Sequence, residues 1–133
     1  MNQDQALERS LEELDGERWG EPDSDATSLV RDCHRLRTIP IGTLTIGDLR
    51  RLLSQHIGTE WLIPLALDRL GDDPLAGDYY PGDLLNAVLK AEPTHWGGNP
   101  KDVMSLWSVR ERLEALRGDA DKLLARDDWP PFA

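Results

Sequence analysis

Apolar residues in this chain return every three or four positions and nowhere alternate with polar ones over a strand's length. Such a sequence can bury a continuous face only by forming helices. Leu7, Leu11 and Leu14 share one face, Leu29, Cys33 and Leu36 a second, and Leu49, Leu52, Leu53 and His56 a third. Leu84, Leu85, Val88 and Leu89 make a fourth, and Val103, Leu106, Trp107, Leu113 and Leu116 a fifth. Proline and glycine punctuate these runs, so each helix should be short. The expected fold is all-α, a compact single-domain bundle of about five to seven short helices. With 133 residues the chain fits one domain, 1–133, whose ends 1–4 and 127–133 are the expected flexible segments.

Local chemistry sets the boundaries. Gly16 ends the first run, within which Ser10 and Glu13 could cap a shorter helix, and residues 17–26 form a loop. Ser28 precedes the second helix, which must stop before Pro40. Thr45 and Asp48 resemble a capping box with a shortened acid, and Gly58 is a stop for the helix they open. Pro64 either stands in the first turn of a helix starting near Ile63 or kinks one that begins at Thr59; Gly71 ends it. Pro81 is expected as the first helical residue of the next element, with Asp83 beside its positive end. Pro93 and Gly97-Gly98 break the chain again. The last helix begins near Pro100, and Gly118 divides it from residues 120–126. Trp129-Pro130-Pro131-Phe132 cannot be ordinary helix and either frays or tucks its two aromatics onto the body.

Between Cys33 and Leu85 the loops are too particular to be filler. The chain reads Cys33-His34-x-Leu36-Arg37-x-x-Pro40, Leu44-Thr45-x-x-Asp48-Leu49-Arg50, Gln55-His56-Ile57-Gly58, Trp61-Leu62-x-Pro64-Leu65-Ala66-Leu67, then Pro74-Leu75-Ala76-Gly77-Asp78-Tyr79-Tyr80-Pro81-Gly82-Asp83-Leu84-Leu85. Upstream stand Leu11-Glu12-Glu13-Leu14 and Trp19-Gly20-Glu21-Pro22. In order and spacing this series resembles the immunity proteins of bacterial contact-dependent growth inhibition systems, which protect a cell from the toxin tip delivered by its siblings. Gly47 and Gly71 depart from that pattern, as does the tail after Trp96. The resemblance implies a helical protein that binds a cognate toxin domain and has no catalysis or cofactor of its own.

Charge narrows the partner. The chain holds 25 acidic and 15 basic side chains, a net charge of −10, which opposes direct binding to nucleic acid. The same charge suits docking on a basic protein such as a nuclease, although acidity also serves solubility alone. The first 30 residues lack a basic segment followed by an apolar one, and no membrane-length apolar run occurs, so a cytoplasmic protein with no membrane contact is expected, in monomeric form. Cys33 is the only cysteine, which excludes an internal disulfide.

Several residues invite a chemical reading. Cys33 and His34 could form a nucleophilic pair or part of a zinc site, but helix neighbours point about 100° apart and His56 and His95 stand alone. His56 reads as a core or boundary histidine bonded to a carbonyl, and Asp72-Asp73 and Asp127-Asp128 as solvated turn acids. Catalytic, cofactor and metal residues are therefore expected to be absent. The loop Gly77–Asp83 can fix the fold or, with two tyrosines and two carboxylates, face a basic partner. Candidate toxin contacts are Glu17, Glu21, Asp72, Asp73, Asp78, Tyr79 and Asp83. The competing function is an acidic helical adaptor or regulatory subunit for a housekeeping protein; a hydrolase built on Cys33 or His56 is the remote third.

Overall fold

The computed structural model describes residues 1–131. Their order is α1 (Gln3–Leu7), α2 (Leu11–Asp15), α3 (Ser28–Leu36), a 3-10 turn (Ile41–Thr43), α4 (Ile46–Ser54), α5 (Thr59–Asp72), α6 (Asp83–Leu89), α7 (Pro93–Gly98) and α8 (Pro100–Leu124). The fold is all-α; among the described residues the only strand-like feature is a single antiparallel bridge between Ser10 and Pro40. That bridge divides the first apolar run. The Ser10 hydroxyl accepts from the Glu13 N–H while the Glu13 carboxylate accepts from the Ser10 N–H, so a new helix starts at Leu11. Pro93 likewise opens the extra helix α7 where a break was expected, because proline suits a first helical position. These two additions bring the count to eight.

The core forms around α5. Leu62, Ile63, Leu65, Ala66, Leu67 and Leu70 are all buried, as a helix with α4, α6 and α8 against different sides requires. Pro64 lies inside this helix, which begins at Thr59. Its ring removes the bond to the Glu60 carbonyl, one turn from the helix start, where the loss is confined to a single partner. Leu11, Leu36, Leu44, Leu49 and Leu52 fill the other side of the same cluster.

Packing revises several sequence expectations. On α6 the inward residues are Leu84, Ala87 and Val88, while Leu85 is half-buried and Leu89 exposed. Pro81 stands outside that helix, which starts at Asp83 after Gly82 adopts φ +89°. His56 lies beyond α4, exposed and at φ +56°, so it does not join the leucine stripe. On α8, Trp107 and Leu116 are exposed and Val109 is the buried apolar residue. Gly118 does not interrupt α8, since a glycine in a helix costs only about 1 kcal/mol relative to alanine.

Contacts are made near both ends of the described residues. Asn2 caps α1 in a reciprocal box with Gln5. Trp129 donates its indole N–H at 2.8 Å to the Leu123 carbonyl in the last turn of α8, which also accepts from the Arg126 N–H at 3.2 Å, while the Trp129 ring stays exposed. Phe132 lies outside the described residues.

Candidate binding surface

Two arginines organise the loops that carry most of the candidate contacts. Arg37, at the end of α3, is only 2% exposed. Its Nη1 and Nη2 donate to the two oxygens of Asp15 at 2.8 and 2.9 Å, and Nη2 also donates to the Glu17 carbonyl at 2.6 Å. The guanidinium lies 4.5 Å from the Trp19 ring centroid, and the Trp19 ring meets His34 edge-on at 5.1 Å. His34 Nδ1 donates to the Gly20 carbonyl at 3.0 Å. The forked guanidinium thus matches a carboxylate and a ring face at once, which a lysine could not do. Arg37 holds the Asp15 carboxyl below its ordinary value of 3.8 through this hydrogen bonding.

Arg50, on α4, organises the loop before α6. Asp83 is 2% exposed and accepts from the backbone N–H groups of Asp78 at 3.0 Å and Tyr79 at 2.8 Å. Arg50 Nε lies 3.5 Å from Asp83 Oδ2, and Nη2 lies 3.8 Å from Asp78 Oδ2. Its guanidinium sits 4.5 Å from the Tyr79 ring centroid. This second clamp is looser than the first, holding its carboxylates by charge rather than by short hydrogen bonds. Close approach demands glycine at Gly77, where the neighbour is backbone, and favours it at Gly47, where the neighbour is the movable end of the Asp78 side chain. A Cβ on Gly77 would fall 2.0 Å from the Tyr80 carbonyl oxygen, and one on Gly47 would fall 2.6 Å from Asp78 Oδ2. Gly47 thus makes room in α4 for the neighbouring loop.

The predicted contact residues divide accordingly. Glu17 and Glu21 are exposed on the loop pinned by Arg37. Asp78 and Tyr79 are exposed on the Arg50 loop, Tyr79 at 75%. Asp72 is exposed at the end of α5, and Asp73 accepts from the Leu75 N–H at 3.0 Å in the turn that follows. Asp83 is a correction: expected on the surface, it is buried, its carboxylate consumed by two backbone donors and Arg50. Among the described residues no hydrogen bond or ion pair joins the Glu17–Glu21 segment to the Asp78–Asp83 segment; each is held from its own side. Arg37 and Arg50 both belong to motifs that carry the resemblance, following Leu36 and Leu49, but no local pattern marks them as clamps because their carboxylate partners lie far along the chain.

Reactive groups offer little. Cys33 is buried, and burial pushes its thiol up, away from the thiolate a nucleophile needs. His34 is engaged with Gly20, and His56 is not part of any His/Cys/Asp/Glu cluster suited to a metal among the described residues. His95 Nε2 meets Asp102 Oδ2 at 3.0 Å, but both side chains are buried and the contact joins α7 to α8. A groove of about 830 Å³ runs between α1, α5 and α8, with Trp61, Pro64, Asp68, Lys101 and Arg112 in its walls. No helix among the described residues is long and apolar enough to cross a membrane.

Comparison with known proteins places this geometry. The model for CDI immunity proteins matches residues 13–106, a span containing both arginine clamps and ending early in α8. No curated protein and no solved structure matches the chain.

Proposed function

The chain belongs to the CDI immunity proteins, and on that premise we propose that it neutralises its cognate toxin domain by stoichiometric binding, without chemistry of its own. The observation that carries this reading is that exposed acids and Tyr79 stand on loops preset by buried or half-buried arginines. Presetting lowers the ordering cost of association, so that binding energy is not spent fixing the loops. The contacts are Glu17, Glu21, Asp72, Asp73, Asp78 and Tyr79, with Asp83 acting behind them as the support of its loop. A net charge of −10 suits a basic partner, for which a nuclease is the proposed identity, with its active site or substrate groove covered. The protein acts as a single-domain monomer in the cytoplasm, where the toxin must be stopped.

Charge steering makes this testable. The association rate with the toxin domain should fall as salt rises, and reversing Asp72 and Asp73 to lysine should slow association more than it speeds dissociation. Rapid mixing at several salt concentrations decides it: a salt-independent rate removes the steering. Co-expression with the toxin domain, scored by growth and co-purification, tests the partner itself. Rescue of growth without a complex would contradict binding, and an absent complex with no rescue would favour the adaptor reading.

A further inference from the structure

The second half of α8 has a surface that the acidic loops do not use. Leu106, Val109, Leu113, Leu116, Ala120 and Leu123 recur at alternating intervals of three and four, the seven-residue repeat of a helix that packs along one seam. The seam begins inside the body: Val109 is 2% exposed, in the core cluster to which α5 contributes. It then emerges, with Leu113 half-buried, Leu116 43% exposed and Leu123 55% exposed. A repeat kept in register beyond the last covering element is suited to a second helix.

The flanks specify that helix. Arg110 and Arg117 border one side of the seam, and Arg112, Asp119 and Arg126 the other, so four of five charged flanking residues are arginines. Arg110 is tied to Glu114 and Arg126 to Asp128, whereas Arg112 and Arg117 make no ion pair among the described residues. A strongly acidic chain thus presents a basic border here. A second copy fits poorly. Antiparallel pairing of the exposed halves sets Arg117 against Arg117 and Asp119 against Asp119, and parallel pairing sets Arg112 against Arg117. An anionic bilayer would attract the arginines but repel the acidic body.

We propose that the exposed part of this seam, Leu113, Leu116, Ala120 and Leu123, docks one amphipathic helix of a partner protein whose apolar stripe is bordered by glutamate or aspartate. The Arg112 and Arg117 guanidinium groups meet those carboxylates, and the leucines interleave with the partner's stripe. This surface is independent of the toxin-binding reading.

The test uses the full chain and two synthetic helical peptides with identical leucine stripes, one bordered by glutamate and one by lysine. Titration calorimetry should show the glutamate peptide binding about tenfold or more tightly, with the difference shrinking as salt rises. Arg112→Glu with Arg117→Glu should invert the preference, and Leu116→Asp should abolish binding of the glutamate peptide while circular dichroism and the unfolding midpoint stay unchanged. Equal binding of the two peptides, or none, overturns the proposal. So does sedimentation showing a dimer of the free protein that Leu116→Asp dissolves, or tighter binding to anionic phosphatidylserine vesicles than to the glutamate peptide. Should Leu116→Asp unfold the protein, the arginine reversals, on exposed side chains, decide alone.

Discussion

Up to Leu106 the chain covers most of its leucines, Leu75 and Leu89 excepted, and uses arginine to fix loops; beyond Trp107 it leaves leucines uncovered and sets arginines along their border. Both regions follow the same helical apolar spacing, so periodicity alone does not say whether a face is covered. The difference lies in neighbours. α5 has helices on several sides, whereas α8 outlasts the elements that could pack against it. The match to CDI immunity proteins stops near the same point, at residue 106.

The two regions should respond to substitution on different scales. Leu49→Ala empties a fully buried site and should cost about 2–5 kcal/mol of stability, while Leu85→Ala, at a half-buried site, should cost less than Leu84→Ala. Chemical denaturation of the three variants measures this; a negligible shift for Leu49→Ala would break the contrast. Arg37→Ala should cost about 1.5–3 kcal/mol, since it removes charged hydrogen bonds while Asp15 keeps some access to water. Arg37→Lys should recover only part, because an ammonium cannot reproduce the fork.

Acid sharpens the same contact. The Asp15 carboxyl is lowered in the fold, so its contribution is fully present above the ordinary 3.8 and is lost as pH falls through the lower folded value. The Trp19 indole resonance, followed by NMR from pH 5 downward, should shift in that window and should no longer do so in Arg37→Ala.

On the distal helix, Gly118→Ala should stabilise by about 0.4–1 kcal/mol, as nothing lies within 4 Å of the added Cβ. Leu123→Ala should change stability by less than about 0.5 kcal/mol. A loss there as large as at Leu49 would mean that the distal seam is covered in the monomer.

Much of the fold was legible because its signals are local. Thr45 with Asp48 and Ser10 with Glu13 form their capping boxes within four residues, and Gly16 ends α2 where its left-handed backbone permits. What was not legible depends on partners far along the chain. Arg37 finds Asp15 across the Trp19 loop, and Arg50 finds Asp83 from a different helix. Asp83 shows the limit most plainly: its position suggested a surface acid at a helix start, and only the folded loop supplies the two N–H groups that bury it. Gly47, out of place by helix propensity, is explained by Asp78 arriving from the next loop. The register of α6 was missed because Leu84 and Leu85 are equivalent to periodicity until α4 and α5 choose a side.

The claim that protection is binding without chemistry is tested most directly by titrating toxin-domain activity with this protein at concentrations far above the dissociation constant. Activity should fall in a straight line and reach its floor at one protein per toxin domain. Complete neutralisation at a small fraction of that ratio would contradict the account and require a catalytic step.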